Sequence, residues 1–211
     1  MKQQTEVSRA TVGRIPLYLK HLKNLSTATV NISATALARA LGLGEVQVRK
    51  DLGLVSGAGR PKTGYNVQEL IAALEHFLGT NNHRSVVIVG AGKLGRALLD
   101  YSGFSEYGLN ILAAFDTAVA GTRHSHTGKP IYPMQQFEAF CAKSHVRIGV
   151  IAVPAENAQQ VCNQMLQNGI QAIWCFAPCI LKVPPEVPVQ YENMALSLAY
   201  LNTKINDQRG K

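Results

Sequence analysis

Val86-Val87-Ile88-Val89-Gly90-Ala91-Gly92-Lys93-Leu94-Gly95 is the stretch whose reading decides the fold of the larger part of this chain. Four consecutive β-branched apolar residues predict a parallel strand buried on both faces. The glycine-rich run follows at once, and a helix is expected from Lys93 to about Tyr101. A G-x-G-x-x-G motif carries meaning in this strand-to-helix setting. Gly90 makes the tight turn, Gly92 lets the backbone approach a pyrophosphate, and Gly95 lets helix and strand pack closely. The amides of the helix N-terminus, Ala91 to Leu94, then face the phosphates. Lys93 either adds its charge there or points to solvent. Asp116 stands 21 residues after Gly95, at the end of a second strand, Asn110–Phe115. A carboxylate there bonds both ribose hydroxyls and repels a 2′-phosphate, so the pattern predicts NAD(H) rather than NADP(H).

Further along, residues 117–130 read as a loop rich in His, Gly and Thr, and Met134–Lys143 as a helix. Val146–Val153 is a third strand, stopped by Pro154. Glu156–Asn168 is a helix capped by Gly169, and Ile170–Phe176 a fourth strand. Pro184, Pro185 and Pro188 mark irregular chain before a last helix, Asn193–Lys204. Strands alternating with helices predict an α/β sheet with right-handed crossovers. In the last helix Leu196, Ala199, Tyr200 and Ile205 read as one apolar stripe. With little left to cover in its own chain, that stripe is expected to face another subunit.

Before Gly79 the pattern is different. Ile15, Leu19 and Leu22 share one face of a helix over Ser8–Lys23, which Pro16 breaks unless it lies near the first turn. Ser33 is a good N-cap for a helix from Ala34 to Leu41, Gly42-Leu43-Gly44 ends it, and another runs from Glu45 to Leu52. Ala38, Gly42 and Val48 have the spacing of a helix-turn-helix: a small residue where the helices touch, a turn residue free to take positive φ, and an apolar anchor. Leu37, Leu41, Val46 and Leu52 add core positions. The exposed face of the second helix presents Glu45, Gln47, Arg49 and Lys50; the alternative is that Arg49-Lys50-Asp51 is only a solvated charged face. In a major groove Arg and Lys bond guanine or phosphate, and Gln bonds adenine. Glycines at 53, 57 and 59, with Pro61, break up the next stretch, which reads as a wing carrying Arg60 and Lys62. Arg in a narrow minor groove reads shape. Arg9 and Arg14 flank the first helix and are expected to hold phosphates. Gln68–Leu78 is a fourth helix.

Bulk properties agree with two domains. The chain has 211 residues, 46% of them hydrophobic and 16% charged, enough to bury a core. Net charge is +8. Residues 1–79 hold ten Lys/Arg against five Asp/Glu, and residues 80–211 hold eleven against eight, so the smaller part is the more basic. This favours an anionic partner on the N-terminal side. No apolar run reaches the roughly 18 residues of a membrane helix. Met1–Arg14 lacks the apolar core of a secretion signal, which places the chain in the cytoplasm. There Cys141, Cys162, Cys175 and Cys179 are expected to stay reduced and pack in the core. His124 and His126 lack further ligands for a metal. No His lies in a recognisable catalytic motif, so no catalytic residue is assigned.

The motifs Val48-Arg49-Lys50-Asp51-Leu52, Gly64-Tyr65, Val89–Leu98, Asp100–Phe104, Ala113–Asp116, Ala152–Pro154 and Phe176–Pro178, taken in that order, resemble the redox-sensing transcriptional repressor family, Rex. The resemblance spans nearly the whole chain. It implies a homodimer in which a winged-helix domain, residues 1–79, reads a palindromic operator in double-stranded DNA. It implies a doubly wound Rossmann domain, residues 80–190, that senses the NADH/NAD+ ratio, with NADH closing the dimer and releasing DNA. It further implies a C-terminal helix, residues 191–211, exchanged between subunits. Carried over by position, Gly90–Gly95 is the pyrophosphate loop, Asp116 the ribose partner, and Tyr101 the neighbour of the nicotinamide, with Val153 and Pro154 beside the cofactor.

The chain departs from the family at two positions. An Asp near the start of the C-terminal helix pairs in redox-responsive members with that Tyr or with an Arg on the first helix. Here the matching residues are Asn193 and Lys20. Asn carries no charge, and Lys lacks the bidentate fork of Arg. Dinucleotide binding is expected to survive, with discrimination of NADH from NAD+ weakened as in a divergent paralogue. Two other readings are a small NAD-dependent oxidoreductase and a CoA-binding regulatory module. The helix-turn-helix spacing and the missing substrate domain oppose the first, and Asp116 opposes the second.

Overall fold

A computed structural model describes residues 7–79 and 84–209. These fall into two compact units, one of the residues before 80 together with Ser105–Gly108, the other of Arg84–Phe104 and the residues from Leu109 on.

The first unit is four helices around an apolar core. Helix α1 (Arg9–Lys23) starts at Ser8, whose hydroxyl accepts from the Thr11 amide at 3.1 Å. It buries Ile15, Leu19 and Leu22, as their spacing requires. Pro16 lies in mid-helix and is buried, well past the first turn. It removes one backbone donor, and the helix continues because both neighbouring turns are anchored in the core. Strand β1 (Asn31–Ile32) leads to α2 (Ala34–Leu41), capped by the Ser33 hydroxyl on the Ala36 amide at 3.0 Å. Gly42 closes α2 at φ +64°, a conformation that costs a side-chain-bearing residue energy. Helix α3 (Glu45–Ser56) then packs Val48 and Leu52 against Leu37 and Ala38. It runs past Leu52 and carries Gly53 within it. Val46, expected in the core, is 66% exposed. It sits about half a turn from the buried face defined by Val48 and Leu52. Strand β2 (Tyr65–Asn66) pairs antiparallel with β1, and Asn66 caps α4 (Val67–Leu78). The expected wing hairpin is a single bridge between Arg60 and Gly64 around a tight turn, in which Lys62 takes φ +65°.

The second unit is a seven-stranded sheet. Its strands are β3 (Arg84–Val89), β4 (Leu109–Asp116), β5 (Arg123–His124), β6 (Pro130–Pro133), β7 (Ile148–Ile151), β8 (Ala172–Cys175) and β9 (Val189–Tyr191). Their order is β5-β6-β4-β3-β7-β8-β9, with β5 antiparallel to β6 and every other pair parallel. Counting the six parallel strands from β3, the order is 3-2-1-4-5-6, that of a doubly wound dinucleotide fold. Val87 and Val89 enter one apolar cluster with Phe115 and Ile151, while Val86 and Ile88 enter another with Ala114 and Val150. Both faces of the strand are therefore buried, as its unbroken apolar run predicts. Helices α5 (Lys93–Asp100), α6 (Phe137–Ser144) and α7 (Ala155–Gln167) connect the strands. Three strands of this sheet escape the sequence reading. Strands β5 and β6 lie in or beside the polar 117–130 segment, and β9 follows the prolines. All are four residues or shorter, which leaves no room for an alternation signal.

Helix α8 (Met194–Arg209) ends the described chain. The Asn193 side chain caps it, accepting from the Ala195 amide at 3.1 Å and the Leu196 amide at 3.2 Å. The single apolar stripe read from the sequence resolves into two. Met194, Leu198, Leu201 and Ile205 follow one face at i, i+4, i+7 and i+11, and Leu196 with Tyr200 lies on the other; all six are more than half exposed.

Candidate nucleic-acid interface and dinucleotide cleft

In the first unit, a groove of about 580 Å³ runs between α3 and the turn at residues 60–64. Arg49 lines it from the helix, Arg60 and Lys62 from the turn, and Ser33 and Thr35 from the start of α2. Three of the cations expected to contact DNA are thus brought to one concave surface. Arg49 also pairs with Glu45 one turn earlier on α3. Lys50 and Arg9 are exposed outside that groove. Gly53 borders the groove and puts no side chain into it.

Arg14 has a different task from the phosphate contact expected of it. Its Nε donates to Asp51 Oδ2 at 2.7 Å, and its Nη2 to Asp51 Oδ1 at 3.0 Å. The Tyr18 hydroxyl donates to Oδ2 at 2.7 Å, and Gln47 Nε2 to Oδ1 at 3.0 Å. Asp51, part of a solvated face on the alternative reading of the sequence, is 1% exposed. Four donors fill the acceptor capacity of one carboxylate. Burial pushes the Asp51 carboxyl up, but the bonds from Arg14, Tyr18 and Gln47 outweigh it and hold it below its ordinary range. Burial, and then the bond to Asp51, push the Tyr18 phenol up. The group clamps α1 to α3. Sequence position held the signal: Asp51 is three residues after Val48 and adjacent to Leu52, on the inner face of its helix.

In the second unit, the glycine loop behaves as its spacing predicts. Gly90 takes φ +102°, and a Cβ on it would lie 2.5 Å from the Ala152 carbonyl oxygen. A Cβ on Gly95 would overlap the Gly90 carbonyl oxygen. Nothing stands within 4 Å of the Gly92 position, so the backbone there opens to the cleft. The cleft measures about 290 Å³, near the lower end of ligand pockets. Gly90, Gly92, Asp116, Val153 and Pro154 line it. Asp116 Oδ2 accepts from the Ala91 amide at 2.7 Å, and Oδ1 from the Ala118 amide at 2.8 Å. Two acceptor positions of the carboxylate remain for ribose hydroxyls. A dinucleotide fits this donor set: an open backbone and a helix start for its phosphates, a carboxylate for its ribose.

Ala91, Lys93, Leu94 and Gly95 belong to the loop but do not line the cleft. Lys93 is exposed. Tyr101 is also outside it, 59% exposed and edge-on to Phe104 with ring centroids 5.0 Å apart. The sequence reading missed Met134, Thr117 and the amide side chains Asn157, Gln160 and Gln164. The last three recur at i, i+3 and i+7 along α7, a polar helical stripe that could have marked a cleft-facing wall. It missed Arg96 as well, whose Nε donates to the Ala91 carbonyl at 2.7 Å and braces the loop.

The remaining candidates are quiet. Burial pushes the Cys141 and Cys175 thiols up to about 11, and it raises Cys162. A protonated thiol is a poor nucleophile. No group of three metal-ligating side chains occurs among the described residues. No described helix is long and apolar enough to cross a membrane.

Comparison with known proteins matches both parts of the chain. A family model described as a CoA binding domain matches residues 81–179, and one described as a putative DNA-binding protein N-terminus matches residues 6–53. The chain is 36% identical over 210 residues to the redox-sensing transcriptional repressor Rex of Treponema denticola, covering 99% of this chain and all of that one. It is 37% identical over 198 residues to Rex of Porphyromonas gingivalis, covering 93% and 91%. Among solved structures it resembles RSP in complex with NAD+ and operator DNA, with TM-score 0.82 and 32% identity over 97% of this chain and 95% of that one. It also resembles RSP in complex with NADH, with TM-score 0.71, 31% identity and 97% of each chain covered.

Proposed function

This chain belongs to the redox-sensing transcriptional repressor family, Rex, and from that premise we propose that it is a DNA-binding repressor that binds NAD(H) and follows the cellular NADH/NAD+ ratio. The observation that carries this is the union, in one chain, of a cationic groove on a helix-turn-helix with a glycine-loop cleft closed by Asp116. A likeness to RSP over 97% of the chain, in complexes with NAD+ and operator DNA and with NADH, supports it.

Arg49, Lys50, Arg60, Lys62 and Arg9 hold the phosphates of double-stranded operator DNA and Gln47 meets its bases, while Arg14 organises the domain behind them. Gly90, Gly92 and the start of α5 hold the pyrophosphate of the dinucleotide, and Asp116 its ribose. The chain works as a homodimer through α8. Apolar residues on two opposite faces of a helix call for burial on both sides, which a helix inserted into a second subunit provides. The protein acts in the cytoplasm and is not an enzyme. Asp116 is the only titratable side chain lining the cleft among the described residues, and the relatives named above are repressors. A gel shift on an operator palindrome tests the reading. NADH is expected to release the DNA; binding that ignores both dinucleotides, or turnover of a substrate, refutes it.

Asn193 favours a second reading of the response. It caps α8 as a carboxylate would, without the charge that a switched ion pair needs. Lys20, at the other matching position, is exposed. On this reading the protein holds both dinucleotides and separates them weakly. Titrating operator release with NADH and with NAD+ decides, and a strong preference for NADH sinks it.

A further inference from the structure

Helix α3 presents two neighbouring neutral side chains on its exposed face. Val46, in the first turn, is 66% exposed although the helix buries Val48 and Leu52 completely. It covers nothing in its own core. In a major groove, the apolar partner for a small branched side chain is the thymine C5-methyl. Gln47, one residue on, is exposed, yet its Nε2 is tied to Asp51 Oδ1 at 3.0 Å.

That tie fixes the amide. Asp51 is ionised by its bidentate Arg14 partner and can only accept hydrogen bonds. Turning the Gln47 amide over would set Oε1 against a carboxylate oxygen. The bond to Asp51 uses one N–H, leaving Oε1 and the second N–H. An amide edge of that kind matches adenine N6 and N7. The remaining acceptor positions of Asp51 are taken by Arg14 and Tyr18, so the carboxylate has no freedom to turn. The cations are placed differently: Arg49, Arg60 and Lys62 share the groove beside the turn, where charge serves phosphate.

We propose that Val46 and Gln47 are the base-reading pair of this helix, Val46 against a thymine methyl and Gln47 against an adenine edge, with Asp51 as the positioning residue that orients Gln47. The assignment rests on the DNA-binding reading above. Affinity then comes largely from cations, and sequence preference from two uncharged neighbours.

Selection of duplexes from a randomised pool by the full-length protein, followed by single-atom base replacements in the enriched site, tests this. Wild type is expected to enrich a thymine and an adenine at nearby positions of each half-site. Uracil in place of that thymine removes one methyl and weakens wild type roughly four-fold, but leaves Val46→Ala unchanged. Purine in place of that adenine removes N6 and weakens wild type roughly ten-fold, but leaves Gln47→Met unchanged. Asp51→Asn lowers the adenine preference at that one position and leaves the salt dependence of binding as it was. Val46→Ala touches no core contact, whereas Gln47→Met removes one donor from Asp51; the uracil comparison with Val46→Ala therefore keeps the test decisive if Asp51→Asn or Gln47→Met unfolds. Wild type that enriches a site but ignores the uracil and purine replacements overturns the pair. A loss from Asp51→Asn spread evenly over all positions overturns its positioning role. Wild type that enriches no duplex overturns the DNA reading, and this assignment with it.

Discussion

Asp51 is the residue on which the first unit turns, because its charge is buried and answered by donors from two helices. Removing one partner of a buried ion pair strands the other. Arg14→Ala should therefore destabilise this unit by about 3 kcal/mol, the lower end for such pairs, since 21% of the Arg14 side chain still reaches water. Urea unfolding followed by circular dichroism measures it, and a loss below about 1 kcal/mol would mark an ordinary surface bridge. The sign of the pH dependence follows from the lowered Asp51 carboxyl. Its stabilisation is full above the unfolded value, near 4, and is lost as pH falls through the lower folded value. Thermal midpoints at stepped pH should fall in acid, with a smaller slope in Asp51→Asn. In the second unit, Gly95→Ala places a Cβ on the Gly90 carbonyl oxygen, so the loop must shift. NADH affinity, measured by fluorescence titration, should drop at least ten-fold, while operator binding by the first unit persists. Unchanged affinity would show that the phosphates sit elsewhere.

At the scale of elements, the interest lies in α8. A sixteen-residue helix with Met194, Leu198, Leu201 and Ile205 on one side and Leu196 and Tyr200 on the other has no place for both faces in water. Ending the chain after Glu192 should convert a dimer into a monomer in sedimentation equilibrium. It should also weaken operator binding, since a palindrome read by one half-site loses the contribution of the other. A truncated chain that still sediments as a dimer would place the interface elsewhere. Helix α3 shows the converse case. Its inner face is fixed by Val48 and Leu52, so its outer face is free to present Val46, Gln47 and Lys50.

For the molecule as a whole, the proposed function has two units meet two anions: the first a polyanion through a cationic groove, the second a dinucleotide through backbone amides and one carboxylate. Phosphate contacts release counterions, so operator affinity should fall steeply with salt. Dinucleotide affinity, held by backbone and Asp116, should change much less. Filter binding and NADH titration over the same salt series compare the two. Equal slopes would argue that the second unit also relies on side-chain charge, with Lys93 and Arg96 as the groups to remove.

The sequence by itself determined the two units, the helix-turn-helix, the first strands of the parallel sheet and the glycine loop with Asp116. Each is local: a β-branched run, a cap, a glycine at positive φ, a carboxylate at a fixed distance along the chain. Tertiary structure decided what depends on packing between segments far apart in sequence. It tied Arg14 to Asp51, buried Asp51, exposed Val46 and added the short strands β5, β6 and β9. It also put the amides of α7 along the cleft. The physical reason is the same in each case. A periodicity shows that a helix has an inner face, but which polar group that face must satisfy depends on what the fold brings against it.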